Sequence, residues 1–434
     1  MERIYTSEVG SCVGQRVRLA GWLHALRRLG GINFLVLRDV RGTVQVVLET
    51  PEALASLEGL LPETVLAVEG DVVAEPQAPG GVEIHRPQFE ILSPVHDALP
   101  FPINKPEIKA MLPTFLDHAV VGLRHPQKRA LFRLQAGVMA GFRATLTGLG
   151  FTEIQTPKLV ASATEGGANV FGVKYFDRRA YLAQSPQFYK QIMVGVFERV
   201  FEVGPVFRAE PHDTVRHINE YVSLDVELGF IRDHRDVMAV LTRVVGGMIH
   251  HLEANYALEL AQLSVKLPVA PGTFPAIYFP EAQELMLQKW GEDCRGEPDL
   301  APQHERWLGE WARSEYGSDF LFVTGYPMVK RPFYTHPNPA DPRYSNSFDL
   351  LFRGTELVTG GQRLHRYQDY LDSAAARGYT DLAPFETYFE AFKYGMPPHG
   401  GFAIGTERFI MQLLGLDNIR LATLFPRDLT RLAP

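Results

Sequence analysis

The stretch from Phe201 to Phe230, FEVGPVFRAEPHDTVRHINEYVSLDVELGF, constrains the fold more than any other part of the chain. Two apolar runs, Arg199 to Phe207 and Tyr221 to Phe230, alternate with the period of two expected of paired antiparallel strands. The loop between them is crowded with ionisable groups: Arg208, Glu210, His212, Asp213, Arg216, His217 and Glu220. An ordinary hairpin would carry such charges as a solvated tip. Arg208, however, stands where strand meets loop, and a guanidinium there offers a planar fork of donors suited to a phosphate or a carboxylate.

The 434 residues suit two or three domains, each large enough to bury a core. An apolar share of 46% with 21% charged residues fits a globular enzyme and excludes a disordered or fibrous chain. With 43 basic against 50 acidic residues the net charge is −7, so any nucleic-acid contact must use local basic patches. Cys12 and Cys294 supply neither a disulfide framework nor a cysteine zinc site, which points to a reducing compartment. The opening MERIYTSEVG lacks the apolar segment of a secretion signal and no membrane-length apolar run follows. The expectation is a cytoplasmic protein with no membrane association.

Residues 1–95 read as short strands, Arg16 to Leu23, Asn33 to Asp39, Thr43 to Leu48, Thr64 to Ala74 and Val82 to Ser93, with a short helix over Glu52 to Gly59. Five strands and one helix in so short a span match a small Greek-key barrel of the OB type. Arg27 and Arg28, with Phe34 and Gln45 on neighbouring strands, combine basic charge, a stacking ring and an amide, the usual equipment for reading single-stranded bases. Taken alone, Phe34 would more often be a core residue. Residues 96–125 hold Pro100, Pro102, Pro106 and Pro113 with little periodicity and read as a hinge with short helical pieces.

The remainder, 126–434, carries the candidate chemistry. From His125 to Leu149 the residues Leu131, Leu134, Val138, Phe142 and Leu146 have helical spacing, with Gly148 and Gly150 suited to the end and GFTEIQTPKL, containing Pro157, following at once. Glu165-Gly166-Gly167 lies in a small-residue loop whose glycines permit the large dihedral changes of a lid. In YLAQSPQFYKQ, Gln187 and Lys190 are three apart and share a helical face, so an amide and an ammonium can converge on one small polar ligand. Residues 231–320 are the least informative and are expected to be structural or an insertion region. Asp349, Glu356 and Arg363 then recur at intervals of seven in SFDLLFRGTELVTGGQRLHRY. On paired strands joined by Arg353-Gly354, two carboxylates could face one cation, and hard oxygens shared with substrate phosphates are what Mg²⁺ prefers. Finally, PPHGGFAIGTERFIMQLLGLDNIRLATLFPRD is a glycine-rich strand entering an apolar helix; Gly400, Gly401 and Gly405 permit close backbone approach, and Arg408 emerges near the helix start, a favourable place for phosphate. No Walker or dinucleotide fingerprint competes with these features.

Taken together, F-R-A-E followed by R-H-x-x-E, the helix running into GFTEIQTPKL, and G-x-x-x-G-x-E-R followed by F-P-R-D resemble motifs 2, 1 and 3 of the class II aminoacyl-tRNA synthetases, in the archaeal-type aspartyl and asparaginyl form. Q-S-P-Q-x-x-K-Q and GGQR-x-H resemble the aspartyl branch, and GWLHALRRLGGINFLVLRDVRGTVQVV is similar to its anticodon-binding domain. The resemblance spans essentially the whole chain. It implies an α+β protein, an OB-fold β-barrel followed by a class II catalytic domain on an antiparallel sheet flanked by helices. It also implies an ATP- and Mg²⁺-dependent aspartate–tRNA ligase working as a homodimer.

In that family the matching residues have assigned roles. Arg208 holds carboxylate and α-phosphate, with Glu210, Arg216, His217, Tyr221, Glu356, Gly405 and Arg408 around ATP. Glu165, Gln187, Lys190, Asp225, Thr359 and Arg363 bind aspartate, Lys190 and Arg363 pairing with its β-carboxylate and Glu165 closing over the ammonium. Asp349, Glu356 and Thr359 hold the metal, although Thr359 stands where archaeal-type members often have Ser. His24, Arg27, Arg28, Phe34, Gln45 and Pro79 meet the anticodon, where Phe34 stacks on the central base and Gln45 hydrogen-bonds it. Strict members tend to have Trp at the place of His24 and Lys at that of Pro79. The resemblance therefore implies the non-discriminating form, which charges both tRNA-Asp and tRNA-Asn and hands the latter to an amidotransferase. Asparaginyl synthetase is the runner-up, disfavoured by Lys190 and Arg363. A paralogue acting as RNA-binding regulator or tRNA-independent amide-forming enzyme should have lost the ATP residues or the barrel, and this chain has both.

Overall fold

Every second side chain of the N-terminal strands points inward, which is why they close on themselves. In β1 (Arg16–Leu29) Val17, Leu19 and Leu23 are buried; β2 (Ile32–Arg38) contributes Leu35 and Leu37; β3 (Thr43–Leu48) contributes Val44, Val46 and Leu48. After the short helix α1 (Pro51–Ala55), capped by the Thr50 hydroxyl accepting from the Ala53 amide, β4 (Val65–Ala74) and β5 (Val82–Ser93) complete a closed barrel of order β1-β2-β3-β5-β4. The first strand runs six residues beyond the expected Leu23, because a bulge between Leu23 and Ala25 lets it bend and pair again with β2. Two short helices, α2 (Leu112–Asp117) and α3 (Ala119–Gly122), follow in the proline-rich stretch.

The computed structural model describes residues 1–29, 32–161, 169–211 and 214–433, so Glu165, Gly166, Gly167, His212 and Asp213 lie outside the described residues. Two compact units are present, Met1–His125 and Pro126–Pro434. No helix among the described residues is long and apolar enough to cross a membrane.

The second unit opens with α4 (Pro126–Gly148), whose Leu131, Leu134, Val138, Phe142 and Leu146 are all nearly inaccessible. The spacing of those five residues is the reason the helix has one buried face. Then come β6 (Thr152–Glu153), a small sheet of β7 (Leu159–Val160), β8 (Gly172–Tyr175) and β9 (Arg178–Leu182), and α5 (Gln187–Phe197). The charged-loop hairpin forms as β10 (Arg199–Phe207) and β11 (Glu220–Gly229), paired antiparallel from Arg199 with Leu228 to Phe207 with Glu220. Next are α6 (His234–Asn255), α7 (Ala257–Gln262), β12 (Ala276–Tyr278), α8 (Phe279–Trp290), α9 (Pro302–Tyr316), β13 (Phe320–Thr324), β14 (Ser347–Phe352) and β15 (Thr355–Gln362). Helices α10 (Tyr367–Ala376) and α11 (Glu386–Lys393), strand β16 (His399–Gly405) and helix α12 (Thr406–Leu414) end the unit.

The large sheet has the order β12-β13-β14-β15-β16-β11-β10-β6. Its six central strands are antiparallel, as expected, while β12 and β6 join the two edges in parallel. Helices α4 and α6 cover one face: Leu134, Val138 and Phe142 meet Leu241, Val245 and Met248 over Leu224, Val226, Phe402 and Ile404. Each such side chain contributes roughly 1.5–3 kcal/mol on burial. The helices cross closely because Gly247 has no β-carbon; one would collide with the Thr145 hydroxyl. The stretch 231–320 is therefore part of the core and not a separate insertion, since α6 supplies half of this layer and β12 extends the sheet.

Candidate active site

The face of the sheet opposite α4 and α6 carries the polar side chains, and the alternation of β11 decides which. Val222, Leu224, Val226 and Leu228 go to the core; Tyr221, Ser223, Asp225 and Glu227 go to the other side. Tyr221, Ser223 and Asp225 line a cavity of about 420 Å³, and Glu227 lies deeper, fully buried.

A charged cluster forms its floor. Lys190, projecting from α5, donates to Asp225 Oδ1 at 3.0 Å and lies 3.4 Å from Glu227 Oε2. Arg363, just past β15, donates through Nε to Glu227 Oε1 at 3.0 Å and through Nη2 to the Gly401 carbonyl at 3.0 Å. Ser223 Oγ donates to Asp225 Oδ2 at 2.6 Å. Lys190 and Arg363 thus meet on a single carboxylate. Burial pushes the Glu227 carboxyl up, but Arg363 and Lys190 outweigh it and hold it below the ordinary value. Gly401 makes the arrangement possible: a β-carbon there would collide with Glu227 Oε2 and the Val226 carbonyl. Behind the cluster, Gln191 Oε1 accepts from the hydroxyls of Tyr370 and Tyr388, each at 2.9 Å, and lies 3.1 Å from His399 Nε2.

The same cavity is lined by Gln187, Arg208, Glu210, Arg216, His217, Glu356, Thr359, Gly405 and Arg408. Gln187 Nε2 is buried without a hydrogen-bond partner among the described residues, and a donor so placed suits a polar ligand. Arg208 leaves the end of β10 with its guanidinium 5.9 Å from the centre of the Tyr221 ring, and its backbone is pinned by Asn219, whose side-chain amide donates to the Arg208 carbonyl at 2.7 Å. Across the cavity Arg408, in the first turn of α12, donates to the Glu356 carbonyl at 3.2 Å. Within the loop, His217 Nδ1 lies 2.6 Å from the Thr214 hydroxyl and His217 Nε2 lies 3.7 Å from Glu210.

Asp349 differs from its sequence expectation. It is buried and does not itself line the cavity; opposite Thr359 in the β14–β15 pairing, it accepts from Arg331 Nη2 at 3.0 Å. Strand pairing puts Asp349 on the same face as Thr359 and Ser347, which do line the cavity, and Arg331, itself a lining residue 4.2 Å over Tyr326, covers its carboxylate. Burial, aided by Glu356, pushes the Asp349 carboxyl up to about 6 against the pull of Arg331. Thr359 Oγ1 donates to Glu356 Oε1 at 3.3 Å. Among the described residues no three His, Cys, Asp or Glu side chains converge as a metal cage.

Sequence reasoning missed Glu227, Arg331, Glu305 and His399. Glu227 had a signal, the run Ser223, Asp225, Glu227 at period two in an otherwise apolar strand. Glu305 had none. It reaches over from α9, where Oε2 accepts the Glu356 amide at 3.1 Å, and burial pushes it up to about 7.

In the barrel, Arg27 pairs across the strands with Phe34, and Gln45 with Val36, so Arg27, Phe34 and Gln45 share the outer face. Arg27 and Arg28 are exposed, Phe34 is half-buried, and Gln45 Nε2 donates to Glu83 at 2.7 Å. His24 Nδ1 faces Arg38 Nη1 at 3.3 Å, and burial with the Arg38 charge lowers the imidazole to about 4. Pro79 is exposed between β4 and β5.

A barrel of this kind, together with an antiparallel sheet whose polar face gathers the arginines of three separate motifs, defines a class II tRNA synthetase. The family profile "tRNA synthetases class II (D, K and N)" matches residues 112–429, and the OB-fold nucleic acid binding domain profile matches residues 17–92. The chain belongs to this family of ATP-dependent ligases. It is 48% identical over 432 residues, all of both chains, to a protein of Thermus thermophilus named aspartate–tRNA(Asp/Asn) ligase. It is 40% identical, over 97% of each chain, to one of Pyrococcus furiosus named aspartate–tRNA(Asp) ligase. Among solved structures it is similar to the asparaginyl-tRNA synthetase of Pyrococcus horikoshii complexed with asparaginyl-adenylate, with a TM-score of 0.93, 34% identity and full coverage of both chains.

Proposed function

We propose that this chain is a non-discriminating aspartate–tRNA ligase, activating L-aspartate with ATP and transferring it to the 3′ end of both tRNA-Asp and tRNA-Asn. The observation that carries the choice of aspartate is the meeting of Lys190 and Arg363 on Glu227 at the floor of the cavity. An acidic side chain can draw those two cations to itself, whereas the asparagine amide offers them no negative partner, a difference of several kcal/mol. The fold does not separate the two amino acids, since an asparaginyl enzyme superposes well. The residues do. The reading of both tRNAs rests on His24 and Pro79 and agrees with the name of the relative at 48% identity.

In the first step the α-carboxylate of aspartate attacks the α-phosphorus of ATP, giving aspartyl-adenylate and pyrophosphate. Arg208, at the strand end beside Tyr221, bridges carboxylate and α-phosphate and offsets the charge gathering at phosphorus. Arg216, His217 and Arg408 hold the outer phosphates, and Tyr221 and Arg408 flank the base. In the second step the terminal tRNA hydroxyl attacks the adenylate carbonyl and AMP leaves. Positioning and charge neutralisation supply the acceleration, and no protein nucleophile is needed.

Glu356 and Thr359 on the cavity wall, with Asp349 beside Thr359 on the neighbouring strand, would hold Mg²⁺ shared with nucleotide oxygens, since hard oxygen donors suit that ion. Bound there, the ion would offset phosphate charge. The barrel face of Arg27, Phe34 and Gln45 would receive the anticodon. The homodimer, the cytoplasmic location and transfer of aspartyl-tRNA-Asn to an amidotransferase complete the proposal.

The test is pyrophosphate exchange with aspartate and asparagine separately, then charging of purified tRNA-Asp and tRNA-Asn with labelled aspartate. Exchange with aspartate and charging of both tRNAs are expected. Exchange with asparagine alone would replace the reading by the asparaginyl one.

A further inference from the structure

Lys190 and Arg363 do not wait in the cavity as bare cations. Lys190 is matched by Asp225 at 3.0 Å and Glu227 at 3.4 Å, and Arg363 by Glu227 at 3.0 Å. The four charges cancel. Glu202, opposite Asp225 across the β10–β11 pairing, is matched separately by Lys158 at 2.6 Å. His399, inside the same shell, stays neutral near pH 7 because burial holds it at about 4. A side-chain carboxylate arriving alone at this floor would therefore meet, among the described residues of the cluster, only cations already matched, and the buried negative charge it adds would be costly.

An α-amino acid brings its own cation. Asp225 lines the cavity while Glu227 does not, so an incoming ammonium reaches Asp225 first. Asp225 is fixed from its far oxygen by Ser223, whereas Lys190, on a four-carbon stem, is held besides its two carboxylates only by longer bonds to the Phe402 and Val226 carbonyls, at 3.3 and 3.5 Å, among the described residues. We propose that aspartate binds by an exchange of ion pairs: its ammonium replaces Lys190 on Asp225, and the released Lys190 turns, with Arg363, to the β-carboxylate. This rests on the reading of the cavity as an aspartate site and adds to it a coupling between the two ends of the ligand. Neither group binds well without the other. Asparagine supplies the ammonium but gives Lys190 no carboxylate to move to, so the exchange stalls.

Four ligands measure the coupling in the full-length chain: aspartate, succinate (no ammonium), L-2-aminobutyrate (no β-carboxylate) and butyrate (neither), with the weak ones titrated by ligand-observed NMR. If the groups acted independently, the product of the Kd values for succinate and aminobutyrate would equal that for aspartate and butyrate. The expected ratio of the first product to the second is at least ten in the native chain. In Asp225→Asn it should fall towards one, with succinate binding at least ten-fold more tightly than to the native chain because Lys190 is already released. A ratio near one in the native chain, or an Asp225→Asn variant that weakens succinate and aspartate alike, overturns the exchange. The native ratio alone decides the matter if Asp225→Asn fails to fold. Absence of aspartate-dependent pyrophosphate exchange in the native chain is a different result, and would dispose of the aspartate reading itself.

Discussion

Gly401 and Glu227 show how little freedom single residues have at the floor of the site. With no β-carbon between them, the carboxylate of one lies against the backbone of the other and serves both cations. Gly401→Ala is expected to destabilise the chain by about 1–3 kcal/mol, and to raise the KM for aspartate at least ten-fold while that for ATP changes less. An unchanged aspartate KM would separate Glu227 from substrate binding. Arg208 lines the same cavity, and in the proposed function its charge meets phosphorus. Arg208→Ala should lower adenylate formation by on the order of 10²-fold or more while tRNA binding survives, as pyrophosphate exchange and filter binding would show; normal exchange would reject its role. At this scale the sequence was legible wherever a short motif carried the residue. Lys190 and Arg363 could be nominated from their local words, but not their partner. The Arg363–Glu227 bond joins positions 136 apart, and no local spacing encodes it. The same holds for Arg331 on Asp349 and for Glu305 beneath the Glu356 amide.

Among the elements, β11 is the one whose pattern did most. Its alternation is readable without coordinates and sorts Leu224 and Val226 into the core and Ser223 and Asp225 into the cavity. Helix α4 was equally legible from its five apolar positions, and α6, which packs against it, falls in a stretch whose expected part was structural or an insertion, without chemistry. Strand β16 adds a pH-sensitive joint. His399 donates from Nδ1 to the Pro397 carbonyl and is fully buried, and that burial lowers it to about 4 despite the opposing pull of Glu227. An unfolded histidine takes up its proton near 6.5, so the unfolded chain binds more protons between the two values. The stability owed to a neutral His399 is therefore complete above about pH 6.5 and is lost as pH falls towards 4. Asp349, at about 6, and Glu407, at about 7, titrate in the opposite sense, so the native curve alone is uninformative. The informative quantity is the gap in Tm between the native chain and His399→Gln. It should be widest near neutral pH and shrink as pH is lowered from 6.5 to 4. A constant gap would mean that His399 is protonated in the fold.

For the whole molecule, the proposed function divides chemistry and reading between two units and gives the choice of tRNA to the first. His24, kept neutral beside Arg38, and the exposed Pro79 stand where stricter relatives are expected to present larger or charged groups. His24→Trp with Pro79→Lys should depress charging of tRNA-Asn at least ten-fold while charging of tRNA-Asp is largely kept, measured as kcat/KM on each purified tRNA. Equal loss on both would count against the barrel as the discriminating unit. Fold class and motif order were legible along the entire chain, because each motif is contiguous. The parallel edge strands β6 and β12 were not, because strands of two and three residues carry no periodicity.

The glycine at position 401 has one more consequence. Where Glu227 presses on bare main chain it cannot swing aside as it could against another side chain, so Arg363, which it holds, keeps one depth in the cavity. On the proposed function that depth sets how far the ligand's side chain must reach. Glutamate, one methylene longer and of the same charge, is expected to support much slower pyrophosphate exchange than aspartate.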